Sequence, residues 1–191
     1  MKKLLFLLFT TCIFAQNNKE HYVYFSGAID VKNLMVGSEP IHNKSGLDYL
    51  FQFGMVGRNL EVNVGYEYFR HIQFSKFTTG VGYHFPMHTN IGNRKIKTVI
   101  IPSIEHTLIN LWGTRGDAIS YDLASSHLSV GGNLSLRWHL SKHLAVEYLY
   151  NILPRIDIYA QYYNKNWDGR ASINGVPLVS SNYFKLLYKI W

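Results

Sequence analysis

From Ser125 to Asn151 the chain reads SSHLSVGGNLSLRWHLSKHLAVEYLYN, and apolar and polar positions alternate on both sides of a break at Ser141-Lys142-His143. Before the break Leu128, Val130, Leu134, Leu136, Trp138 and Leu140 are in one phase. His127, Ser129, Gly131, Asn133, Ser135, Arg137 and His139 are in the other. After it Leu144, Val146, Tyr148, Tyr150 and Ile152 oppose Ala145, Glu147 and Asn151. Successive side chains of a strand point to opposite faces, so period two over both runs predicts a β-hairpin with one greasy and one polar face.

The same pattern recurs along the chain. A first strand over about 21–33 sets Val23, Phe25, Ile29 and Val31 against Tyr22, Tyr24, Ser26, Ala28 and Asp30. A second, about 46–56, sets Leu47, Tyr49, Phe51, Phe53 and Met55 against Asp48, Gln52 and Gly54, and ends at the turn Gly57-Arg58-Asn59. A third, about 60–71, sets Val62, Val64, Tyr66 and Tyr68 against Glu61, Asn63, Gly65 and Glu67. The fourth follows a loop near 70–75, carries Phe77, Val81, Tyr83 and Phe85 against Thr78, Gly80, Gly82 and His84, and is expected to stop at Pro86. The fifth, about 95–109, comes after a connection from His88 to Arg94 and has less distinct faces, because Val99 and Ile101 share the phase of Lys97 and Glu105. The hairpin supplies the sixth and seventh strands. After the long connection from Pro154 to Ser181, an eighth, about 182–191, carries Phe184, Leu186, Tyr188 and Ile190 against Lys185 and Lys189. Short turns (57–59, 86–94, 141–143) alternate with longer connections (34–45, 110–124, 154–181), 70–75 excepted. The pattern predicts an all-β chain, an eight-stranded antiparallel up-and-down transmembrane β-barrel with both strand termini at the short-turn end.

Which face points outward is decided by volume. Eight strands enclose an interior that side chains just fill. About forty large residues, roughly five per strand, would overfill it. The small and ionic set fits. The apolar face is therefore expected outside, against lipid, and the interior is expected to be plugged by a lumen network of Glu61, Glu67, Glu105 and Glu147 paired with Lys97, Arg137, Lys185 and Lys189, because buried charges must be paired. Aromatic residues near strand ends predict interfacial girdles: Phe85, Trp138, Tyr188 and Trp191 at the turn end, Tyr68, Phe69, Trp112 and Tyr150 at the loop end.

Composition narrows the picture further. Fourteen Tyr, eleven Phe and fifteen Gly with 16% charged residues suit strands better than helices. Met1-Lys2-Lys3, the apolar run Leu4 to Phe14 and the small Ala15 before Gln16 read as a signal peptide over 1–16, leaving 17–191 as the barrel domain. Cys12 then departs with the signal, so no disulfide or thiolate site is available; acylation of Cys12 as a lipoprotein is disfavoured by its place inside the apolar run. The formal charge of +7 comes from single basic residues (Lys44, Arg58, Lys76, Arg94, Lys95, Lys142, Lys165, Arg170), a pattern without the clustering that nucleic acid needs. Phosphorylated lipid headgroups fit it better.

The signal ending Ile13-Phe14-Ala15-Gln16, the hairpin GGNLSLRWHLSKHLAVEY and the terminal strand YFKLLYKIW resemble the small outer-membrane β-barrel proteins of Bacteroidetes-type bacteria, described broadly as porin-like. The resemblance implies a bacterial outer-membrane location and contact with outer-membrane lipids and the barrel-assembly machinery. In the terminal strand Ile190 is in phase with the outer set and Trp191 is one past it.

Candidate chemistry is sparse. By parity His106 and Ser126 lie on the lipid-facing side of neighbouring strands, an arrangement resembling lipid A deacylases of the outer membrane, in which a His base activates a Ser hydroxyl. Those enzymes carry the Ser two residues after the His; here that position is Leu108. No catalytic residue is therefore expected. His84, His127 and His139 share the polar face on different strands, which does not converge ligands on a metal, so no metal or cofactor is expected. The stretches Trp112 to Tyr121 and Tyr159 to Arg170 mix aromatic, basic and amide side chains, a composition suited to contact with an extracellular protein or glycan. The expected role is that of a monomeric barrel acting structurally or through its outer loops. A narrow solute channel, a lipid A-modifying enzyme and a secreted lipocalin-like binding protein are the alternatives.

Overall fold

The computed structural model describes residues 21–35, 46–69, 74–111, 125–154, 172–173 and 176–190. Among the described residues there are ten strand segments and one short helix: β1 His21–Asp30, α1 Val31–Met35, β2 Asp48–Gly57, β3 Leu60–Phe69, β4 Phe74–Tyr83, β5 Phe85–Ile91, β6 Arg94–Leu111, β7 Ser125–His139, β8 Leu144–Pro154, β9 Ser172–Ile173 and β10 Val176–Lys189. Neighbours pair in the order β1-β2-β3-β4-β6-β7-β8-β10, and β10 returns to pair with β1, from Tyr24 opposite Lys189 to Asp30 opposite Tyr183. Eight antiparallel strands thus close a ring without an edge, with Ile190 N donating to Val23 O at 2.8 Å beside the closure. No helix among the described residues is long and apolar enough to cross a membrane, which says nothing about strands.

The strands are staggered as closure requires. Following partners round the ring from Tyr22 passes Val56, Glu61, Gly82, Ser103, Asn133, Asn151 and Ser181. The walk then meets β1 about ten residues beyond its start, because Ser181 lies two past the Asp30–Tyr183 pair. A stagger larger than the strand number tilts the strands by roughly 40°.

Period two maps onto this ring as expected, with the greasy phase outside. Phe25, Phe51, Phe53, Val62, Val64, Phe77, Val81, Ile104, Val130, Leu134, Phe184 and Leu186 are all exposed, Ile104 to 67%. The opposite phase is buried, including Arg137 at 0% and Glu147 at 1%. The lumen is not purely polar, however. Tyr22, Tyr24, Val56, Ala145 and Leu187 form one buried apolar cluster, and Ala28, Leu50, Leu149 and Tyr183 another. Both line the wall built by β1, β2, β8 and β10.

Three boundaries differ from the sequence expectation. The first strand ends at Asp30 rather than near 33, because Asp30 caps α1: its Oδ1 accepts from Lys32 N at 2.8 Å and from Asn182 N at 3.2 Å. Pro86 does not stop the fourth strand. After His84, whose N donates to Asn59 O at 2.7 Å, β5 continues against β6 in the register of β4, and Pro86 lies opposite Val99 on a strand edge that β3 no longer covers. The expected connection 88–94 is therefore mostly ladder, closed by Gly92-Asn93 with Gly92 at φ 58°. Finally, β10 begins at Val176, six residues before the expected 182. Its outward residues there, Ser180 and Asn182, are polar, which hid the strand from an apolar periodicity. The suggested ribbon over Ile156 to Tyr163 lies outside the described residues, as do the signal segment and the loop stretches 112–121 and 159–170.

Candidate functional site: an ion-paired lumen

The lumen positions of β3, β7 and β8 bring Glu61, Arg137 and Glu147 to one level, because Glu147 is opposite Arg137 in the β7–β8 ladder and Glu61 faces them from across the ring. The Arg137 guanidinium forks onto Glu61, with Nη1 2.9 Å from Oε2 and Nη2 3.1 Å from Oε1. Its Nε donates to Glu147 Oε2 at 2.6 Å and its Nη1 to Tyr22 Oη at 2.9 Å. Bidentate geometry of this kind gives the stronger class of charge-assisted bond. Lys185 completes Glu147 at 2.7 Å, while His84 Nε2 lies 2.6 Å from Glu61 Oε2 and Tyr24 Oη donates to Glu61 Oε1 at 2.5 Å. The Arg137 cation also sits 4.9 Å from the Tyr24 ring centroid.

Nearer the loop end a second group forms. Lys76 Nζ is 2.8 Å from Glu67 Oε2 and 3.7 Å from Glu105 Oε1. Tyr183 Oη donates to Glu67 at 2.5 Å, and Glu105 accepts from Thr107 at 3.1 Å and from Asn133 at 2.9 Å. Asn133 in turn accepts from Asn151. Asp30 and Asp48 are buried at this end too. Carboxylates therefore predominate loopwards and cations turnwards, where Arg137, Lys185 and Lys189 lie.

Glycine recesses make room for these long side chains. A Cβ on Gly54 would meet the Tyr24 ring at 2.5 Å, and one on Gly80 would meet Asn63 Oδ1 at 2.7 Å. Tyr24 reaches Glu61 only by lying across the bare backbone of β2 at Gly54.

Of the residues singled out from sequence, Glu61, Glu67, Glu105, Arg137, Glu147 and Lys185 are buried in these two groups. Lys97 is half-buried near the turn-end rim. Lys189 is buried at the turn end, with its Nζ 3.1 Å from His139 Nδ1, 3.2 Å from Ser141 O and 5.5 Å from the Tyr22 ring. Sequence reading missed Lys76 as a lumen residue, although Phe77 next to it was in the outer phase and placed Lys76 inward. Among the aromatic positions, Tyr188 and Tyr68 are exposed at 57% and 37%, and Phe85, Trp138 and Tyr150 are half-exposed. Phe85 packs 5.0 Å from Tyr83. Tyr68 belongs to the outward phase of β3, and the side chain of Phe69 lies outside the described residues. Trp112 and Trp191 lie outside the described residues.

The suggested His–Ser pair is not assembled by the ladder. His106 is exposed and opposite Val130, while Ser126 is opposite Asn110. Four strand positions separate Ser126 from Val130, roughly 13 Å of rise and far beyond proton-transfer reach. Among the described residues no three His, Cys, Asp or Glu side chains gather as a metal site.

No protein-family model matches the chain, and no curated protein matches it. Among solved structures, the crystal structure of Neisserial surface protein A is similar over 88% of this chain and 95% of that one, at 12% identity and a TM-score of 0.45.

Proposed function

We propose that the protein is an integral barrel of a bacterial outer membrane, sealed along its axis, whose role is structural or exerted through its outer loops rather than by catalysis. The observation that carries this reading is the inversion of the usual globular arrangement. Phenyl rings and branched aliphatics cover the outside, while the charged side chains Glu61, Arg137, Glu147, Lys185, Glu67, Lys76 and Glu105 are buried within. In water such an exterior is an aggregation surface; against acyl chains it is the stable one. A wide water-filled pore would leave lumen side chains solvated, whereas Arg137 and Tyr24 have no exposure. The test is folding into lipid vesicles or detergent micelles, read as a folded gel band that shifts on boiling, with fractionation of cells for location. A chain that folds and stays soluble without amphiphile overturns the reading. Capture of proteins or glycans by intact cells tests the loop role. Single-channel recording tests the sealed axis, and steady conductance in the nanosiemens range favours the solute channel instead.

A further inference from the structure

All six acidic side chains among the described residues, Asp30, Asp48, Glu61, Glu67, Glu105 and Glu147, are buried inside the barrel. Among the side chains described, the exposed ionic ones are Arg58, Lys95 and Lys142. Arg58 stands on the β2–β3 turn and Lys142 on the β7–β8 turn, and Lys95 is the second residue of β6, just past the β5–β6 turn. The start of β1 and the end of β10 occupy the fourth quadrant. His21, His88 and His143 are exposed at this end as well, and no described acid accompanies them. Arg58 and Lys142 border the greasy exterior, beside Leu60 and near Leu140, both exposed, while Lys95 stands opposite Asn90 on the β5–β6 ribbon past the rim.

Arg58 is held there at a conformational cost. It has φ 52° and Asn59 has φ 68°, the paired left-handed geometry of a two-residue hairpin turn that Asn and Gly adopt most readily. A long cationic side chain at a left-handed turn position adds nothing to the turn itself. Resting on the membrane reading above, we propose that this end of the barrel is a three-cation ring that binds the anionic phospholipid headgroups of the leaflet it faces. The ring's place at the edge of the apolar exterior is where acyl chains give way to headgroups, and long basic side chains extend from such a position into the polar layer. Its spread over three quadrants suits several separate headgroups rather than one multivalent anion.

The experiment uses the full chain folded into phosphatidylcholine vesicles with and without a minor fraction of phosphatidylglycerol. Spin-labelled lipids report which headgroup associates with the barrel. The expected result is a preference for phosphatidylglycerol of about five-fold at low salt, the size that one cation near an anionic surface supports, falling at high salt. The R58Q/K95Q/K142Q variant should lose it, R58K/K95R/K142R should keep it, and K32Q at the loop end should leave it unchanged. An unchanged preference in the first variant, or none in the wild type, overturns the proposal. So does binding to isolated cell-wall sacculi without lipid preference, which assigns the ring to wall carboxylates. A chain that enters neither kind of vesicle overturns the membrane reading itself.

Discussion

Arg137 is the side chain on which the lumen depends. It satisfies Glu61, Glu147 and Tyr22 at once, and removing it leaves the two buried carboxylates short of the cation they share, with only His84 and Tyr24 on Glu61 and Lys185 on Glu147. Arg137→Met is therefore expected to destabilise the folded barrel by about 3–5 kcal/mol, measured by urea unfolding in vesicles. A combined Glu61→Leu, Arg137→Met, Glu147→Leu, Lys185→Met replacement should recover much of that loss, since an apolar set of similar volume carries no desolvation cost and Lys185, the other partner of Glu147, is not left unpaired. Gly54 gives a second residue-scale test. Gly54→Ala puts a methyl group into the Tyr24 ring and is expected to cost about 1–3 kcal/mol, with a smaller cost in a Tyr24→Ala background. Arg58→Asn should instead stabilise the β2–β3 hairpin by up to about 1 kcal/mol, because Asn tolerates the left-handed region better.

Most of the barrel was legible in the strands because a half-buried strand writes its two faces directly into the order of residues. Where both faces share polarity the signal fades. Val99 and Ile101 are buried inside and Ile100 and Ile104 lie outside, so β6 reads as nearly continuous apolar chain. Pro86 misled because proline forbids a central strand but is tolerated on an open edge, and whether an edge is open is a property of the neighbouring strand. The β5–β6 ribbon past that edge closes on Gly92, around which nothing lies within 4 Å of an added Cβ. Gly92→Ala should therefore cost about 1 kcal/mol through backbone conformation alone. Faster amide exchange over Phe85–Lys97, with the β7–β8 ladder unaffected, is the expected sign.

At the scale of the whole molecule, volume decided inside from outside before any contact was known. It could not say which lumen groups meet. Sequence supplied Glu61, Arg137 and Glu147 as candidates, but their convergence depends on a stagger of about ten residues round the ring. The aliphatic wall from β1, β2, β8 and β10 was missed for a related reason: Leu50, Leu149 and Leu187 are greasy residues in the inward phase, and only the closed ring gives them partners.

The pairing of β1 with β10 also fixes when the fold can exist. Until the last strand arrives, β1 and β8 each present a row of unsatisfied amides and carbonyls, which a hydrocarbon solvent cannot hydrate. A nascent or truncated chain lacking residues 176–190 has no half-finished resting state in the bilayer. It should remain with whatever holds its open seam, and insertion should be a single late event rather than strand-by-strand entry.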